Sequence, residues 1–258
     1  MPIDIRVNFT EHDAVGRPFG IEGVRKALDR FQIETAILIP RLAVDADFAQ
    51  GNKELLEAIK SDDRLYGYLV VNPVFPDESI KLMRQAMILP KFAGMAMFQG
   101  ASKSFPNLDD CREILNSYRR YTKPVLLQAD SPEAVSAAEG IAGEFPSTKF
   151  VLGSMGGEHC PATGSRDRRE KCVMGLSKYM NLFLETSGSL ESSKIEEAVA
   201  SFGPRRVLFG SDLPFGNPAS MLALIQTSSI PKDVMTRIFA TNARTLFGLG
   251  KEAQPSEE

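Results

Sequence analysis

The chain has 258 residues, of which 43% are hydrophobic and 24% charged, a balance that supports one large core and excludes a wholly disordered protein. Thirty lysines and arginines against 33 acids leave a net charge of -3, and no basic stripe interleaved with aromatics suits a phosphate backbone. Three widely spaced cysteines, Cys111, Cys160 and Cys172, fit reduced thiols rather than a disulfide framework. With no signal-peptide pattern in MPIDIRVNF and no apolar run long enough to cross a bilayer, a soluble cytoplasmic protein is expected.

Taken in chain order, short β-rich runs alternate with amphipathic stretches. The runs are IDIRVNF (3 to 9), TAILIP (35 to 40), YGYLVVNP (66 to 73), FAGMAMF (92 to 98), PVLLQA (124 to 129), KFVLGSM (149 to 155), LFLETSG (182 to 188) and VLFGSD (207 to 212). Helical spacing is read in GIEGVRKALDRF (20 to 31), at 51 to 60, 77 to 88 and 108 to 119, and in SPEAVSAAEGIAGEF (131 to 145). In the last of these Ser131 is the expected N-cap and Pro132 the first helical residue. Further helices are expected at 167 to 179, 191 to 202, 217 to 226 and 231 to 247. Eight such units in order predict an α/β fold, a single (β/α)8 TIM barrel over residues 1 to 250, with a polar tail at 251 to 258.

In such a barrel the chemistry lies at the C-terminal ends of the strands. That places Arg6, Asn8, Arg41, Gln128, Asp130, Ser154, His159, Glu185 and Asp212 among the residues to consider. Side chains alternate along a strand, so Arg6 and Asn8 share a face, and strand one neighbours strand eight in a closed barrel. Arg6 is therefore expected within reach of Asp212. The inward parity of Glu185 is not set by the sequence.

The strand ends resemble those of the amidohydrolase superfamily, in its amidohydrolase-related branch that includes aminocarboxymuconate semialdehyde decarboxylase-like proteins. NLFLETSG (181 to 188), RRVLFGSDLPFG (205 to 216) and TNARTLFGL (241 to 249) carry the likeness most specifically. GMAMF (94 to 98), KPVLLQAD (123 to 130) and KFVLGSMGG (149 to 157) extend it upstream. Where the family carries DxHxH on strand one, this chain reads DIRVN (4 to 8). The resemblance implies a metal held by two strand-one histidines, histidines ending strands five and six, and an aspartate ending strand eight. Those positions read Arg6, Asn8, Gln128, Ser154 and Asp212, and strand four's usual histidine reads Phe98. Only two histidines exist, His12 and His159, and a guanidinium cannot ligate a cation. No metal and no other cofactor is therefore expected.

The expected function is a metal-independent hydrolase acting on a small organic carboxylate or lactone. Asp212 is read as general base and Arg6 as the charge that polarises substrate, with Asn8, Arg41, Gln128, Ser154 and His159 as substrate-binding residues. The alternative is a catalytically inactive barrel in which Arg6 and Asp212 plug a vacated site, serving as a ligand-binding or partner subunit. The partner expected is a small-molecule ligand or substrate, with no nucleic acid and no membrane; a homo-oligomer, or pairing with a related barrel, stays open. His159 beside Cys160 offers a weaker nucleophile-and-base reading, GSMGGEHC (153 to 160) a turn more than an anion cradle, and Arg166 a loop cation.

Overall fold

The computed structural model describes residues 1 to 98, 108 to 128, 132 to 157 and 177 to 250. Eight parallel strands follow one another around a single sheet in chain order. They are β1 (Ile3–Phe9), β2 (Thr35–Pro40), β3 (Leu65–Val71), β4 (Phe92–Met97), β5 (Val125–Leu127), β6 (Phe150–Leu152), β7 (Leu182–Glu185) and β8 (Val207–Leu208). Closure comes from the segment after β8, which pairs with β1 through Ile5 N to Phe209 O at 3.0 Å and Asn8 N to Leu213 O at 2.6 Å. The fold is the expected single (β/α)8 barrel.

Helices intervene for the reasons their sequences suggest. Between β1 and β2, Gly20–Phe31 buries Val24, Ala27 and Leu28, one stripe at helical spacing, and stops at Gln32 in the left-handed region. Asp47 caps Phe48–Ile59 by accepting from Gln50 N at 2.9 Å. Pro76 opens Pro76–Ala86, with Asp77 and Glu78 in its first turn, where the helix dipole favours acids. Two short helices were not foreseen, Arg41–Asp45 and Ser154–Gly157, and the expected helix at 231 to 247 divides into Lys232–Thr236, a π-turn at Arg237–Thr241 and Asn242–Phe247. The helix expected at 167 to 179 lies outside the described residues as far as 176, as do Ser131 and the tail.

Two apolar layers form. Ile3, Ile5, Ile37, Ile39, Val70, Ala96, Leu126, Val151 and Leu208 pack together as the inner layer, while Val7, Leu38, Leu69, Met95 and Phe150 join the helix residues outside. The inner layer fills the barrel's lower part. The polar inward residues gather above it, and there the later strands are shorter than their apolar runs. Ser154 and Met155, both with φ +53°, turn the chain out of β6 directly after Gly153.

Candidate active site

The site starts with an irregularity in β1. Asp4 pairs with Ala36 and Val7 with Leu38, so three steps of β1 span two of β2. One extra residue in a strand is a β-bulge, and beyond it the faces are exchanged. Ile3 and Ile5 face the inner layer and Val7 the helices, so Arg6 and Asn8 turn into the barrel and Asp4 does not.

Inside, the guanidinium of Arg6 meets acceptors from three strand ends. Nε donates to Asp212 Oδ1 at 3.1 Å and Nη2 to Gln128 Oε1 at 2.6 Å. Nη1 lies 3.5 Å from Glu185 Oε1 and makes no hydrogen bond among the described residues. Two glycines make the space. A Cβ on Gly153 would collide with Arg6 Nη1, and one on Gly210 with Glu185 Oε2. Burial works against the charge on Arg6, but Glu185 and Asp212 outweigh it and hold the guanidinium above its usual range.

Glu185 is wholly buried. Its Oε1 accepts from Ser154 N at 2.6 Å and Ser187 Oγ at 2.6 Å, and its Oε2 from Ser187 N at 2.7 Å. Burial raises its pKa, opposed by Arg6 and by these donors. Tyr68 from β3 completes the floor, its buried hydroxyl without a hydrogen bond among the described residues.

Asp212 sits at φ +60°, a left-handed conformation that is costly for a residue other than glycine and that clusters at functional sites. Its backbone explains the turn: N donates to Arg6 O at 2.9 Å, and its carbonyl accepts from Phe215 N and Gly216 N at 2.9 and 2.8 Å. Asn8 Nδ2 donates to Oδ1 at 2.9 Å, so this oxygen is shared between Arg6 and Asn8. Oδ2 has no hydrogen bond among the described residues, and the side chain is 31% exposed. Among the described residues the carboxylate is pinned by one oxygen and unpaired at the other.

The structure thus brings together Arg6, Asn8, Gln128 and Asp212, and sets the Ser154 backbone against Glu185. Arg41 stands apart: it pairs with Asp45 at 2.5 Å on its own short helix and lies over the Phe215 ring, 5.8 Å from its centroid. This places it on the rim beside the loop that carries Asp212. His12 is exposed. His159, Asp130, Cys160 and Arg166 lie outside the described residues. Sequence reasoning underweighted Glu185 and missed Asp4, whose only sequence signal is an acid set between Ile3 and Ile5.

A divalent ion needs about three anionic or neutral imidazole donors with an open coordination position. Among the described residues no group of three or more histidines, cysteines, aspartates and glutamates could hold one. The centre of the donor set is instead a guanidinium, which repels a cation and consumes the acceptors around it. The described residues do not fit a metal ion.

The model of the family described as amidohydrolase matches residues 17 to 249. The chain belongs to the amidohydrolase superfamily. Within it, the chain falls in the aminocarboxymuconate semialdehyde decarboxylase-like branch. It is 27% identical to gamma-resorcylate decarboxylase of Rhodococcus jostii, over 91% of this chain and 90% of that one. The 5-carboxyvanillate decarboxylase of Sphingomonas paucimobilis shares its fold with a TM-score of 0.76 at 16% identity, covering 96% of this chain and 99% of that one. A dihydroxybenzoic acid decarboxylase from Polaromonas sp. JS666, solved with bound manganese and 2-nitroresorcinol, gives 0.74 at 20% identity, with 97% and 98% covered.

These findings correct the functional expectation. The matched relatives are decarboxylases rather than hydrolases, so the expected hydrolase of carboxylates or lactones is overturned. The metal-independence expected of this chain conflicts with these relatives, since the Polaromonas structure carries manganese. The alternative of an inert binding barrel or partner subunit finds no support among these relatives, which are named as decarboxylases. The error has a physical source: a polar barrel mouth with one base is compatible with several bond cleavages, and the fold does not choose among them. Among the described residues no helix is long and apolar enough to cross a membrane.

Proposed function

We propose that this chain is a decarboxylase of small aromatic carboxylates, with Asp212 carrying the proton. The observation that supports it is the asymmetry of that carboxylate: Oδ1 is held by Arg6 and Asn8 while Oδ2 is open at the mouth. Loss of CO2 from an aryl carboxylate requires a proton at the ring carbon that carried it. In a substrate with a hydroxyl beside the carboxylate, Asp212 Oδ2 takes the phenolic proton, which raises electron density on the ring. The same oxygen returns the proton to the ring carbon, the carbon–carboxyl bond breaks, and its electron pair restores the aromatic ring as CO2 leaves. The phenolate then takes a proton from water, so one proton is consumed for each CO2 released.

In this reading Arg6 and Asn8 orient Asp212, and Gln128 orients Arg6. Arg41 at the rim, Ser154 and His159 contact substrate; Arg41 suits a carboxylate through its fork of donors. The same reading takes residues 1 to 250 as the barrel and 251 to 258 as a polar tail, in a cytoplasmic protein, supported by the unpaired buried thiol of Cys111.

The test is CO2 release from carboxyl-labelled gamma-resorcylate and 5-carboxyvanillate. The wild-type protein should release label from at least one of them, and Asp212→Asn should lower the rate by about 100-fold or more, the size expected for losing a general acid-base. No release from either substrate, or equal release by the variant, would remove the proposal.

A further inference from the structure

The bulge that turns Arg6 inward leaves a problem in the backbone, and Asp4 solves it. A bulge interrupts the ladder and strands N–H groups that cannot stay unpaired when buried. Here the N–H groups of Arg6 and Ser211 both donate to Asp4 Oδ1, at 3.1 and 3.0 Å. Ser211 Oγ donates to Asp4 Oδ2 at 2.5 Å and accepts from Leu213 N at 3.2 Å. Asp4 is fully buried, on the side of β1 opposite Arg6.

We propose that Asp4 is the positioning residue of this site, clamping the bulge of β1 to the strand-eight segment so that Arg6 and Asp212 meet. Oδ1 of this one carboxylate holds the backbone N–H groups of Arg6 and of Ser211, the residue before Asp212, while Oδ2 holds the Ser211 hydroxyl. The two members of the Arg6–Asp212 pair are thereby fixed to a common point, 206 residues apart in sequence. Without the clamp neither the Arg6 N–H in the bulge nor the Ser211 N–H beside it has an acceptor among the described residues. Restoring regular pairing shifts the strand by one residue and carries Arg6 to the helix-facing side. No other described side chain is seen to hydrogen-bond both backbones, and Glu185, although close to Arg6, holds the β6 and β7 turns instead. The bearing of Asp4 on decarboxylation rests on the reading above, but its action on Arg6 does not.

The test therefore observes Arg6 directly, by the NMR resonance of its Nε–H, identified through its disappearance in Arg6→Lys. Asp4→Asn keeps an oxygen where Oδ1 stands and should retain the resonance at its wild-type position and slow exchange. Asp4→Ala should lose it while the overall fold, followed by circular dichroism, remains. An unchanged resonance in folded Asp4→Ala, or its loss in Asp4→Asn, overturns the proposal. Where Asp4→Ala does not fold, hydrogen-bond couplings in the wild-type protein decide: coupling from the Arg6 and Ser211 amides to Asp4 Cγ supports the clamp, and its absence overturns it. CO2 release has no part in these readouts, so a failed activity assay leaves them intact.

Discussion

Two buried arginines, at opposite ends of the barrel, are satisfied in different ways. At the N-terminal face Arg206 gives Nε to Phe202 O at 2.8 Å, Nη1 to Tyr179 O at 2.7 Å and Nη2 to Ser177 O at 3.0 Å. Lys123, just before β5, does the same, donating to the carbonyls of Met87 and Phe92 at 3.0 and 2.7 Å. These partners are neutral backbone oxygens, and burial lowers the pKa of both cations. At the C-terminal mouth Arg6 faces two carboxylates and an amide and, among the described residues, keeps one nitrogen without a hydrogen bond. A cation tied to main-chain carbonyls locks loops; one tied to side chains that can take up protons sets their charge. The second arrangement is the one suited to chemistry.

The largest expected effect comes from Arg6→Met, which leaves Glu185 buried and Asp212 half-buried without their cation. It should cost about 3–5 kcal/mol, the usual penalty for breaking a buried pair, read by chemical denaturation. Adding Glu185→Gln should recover part of that loss; if the double variant is no more stable than Arg6→Met alone, the pair is not the source of the cost.

Stability should next depend on pH through Asp4, whose pKa burial lifts to about 7 from 3.8 despite the Ser211 and Arg6 donors. A carboxyl with a raised pKa favours folding in its protonated form. Its contribution is full below about pH 4 and is lost as pH rises to 7, by up to about 4 kcal/mol. Glu185, raised in the same direction, adds a slope of the same sign. Asp4→Asn should flatten the Asp4 part of this slope in denaturation curves taken across that range, and an unchanged slope would show that Asp4 does not titrate there.

Arg206→Met sharpens the contrast from the other end. Losing its carbonyl contacts should cost about 2–3 kcal/mol while leaving the Arg6 Nε–H resonance in place. Gly153→Ala is the mildest change, about 1–3 kcal/mol of overpacking, but it should move that resonance, because the new methyl needs the space of Nη1. A variant set in which Arg206→Met perturbs Arg6 more than Gly153→Ala does would dissolve the distinction between the two ends.

The barrel was legible because its signals are local. IDIRVNF, TAILIP and FAGMAMF declare strands by composition, and β1 and β2 have the bounds read from them. The Arg6–Asp212 meeting was legible too, since strand order in a closed barrel makes the first and last strands neighbours. What escaped depends on distant partners. Alternation alone puts Asp4 on the face of Arg6, and only pairing with β2 and with the strand-eight segment creates the bulge that separates them. Glu185 could not be assigned a face until its strand had neighbours. The short strands β5 to β8 were overextended because apolar runs continue into turns, as at Ser154 and Met155, whose positive φ values no propensity foretells. The reaction escaped for another reason. One pinned carboxylate serves hydrolysis and decarboxylation alike, and the decarboxylation proposed here rests on the relatives.

The most direct test of Asp212 as proton carrier is hydrogen–deuterium exchange into the product ring. The purified protein is incubated with resorcinol in deuterated buffer and the ring positions are followed by NMR. Exchange at the carbon beside the hydroxyls, present with the wild-type protein and lost with Asp212→Asn, is the predicted result. Exchange that is equally fast with both proteins, or absent with a wild-type protein that still releases CO2 from gamma-resorcylate, would contradict it.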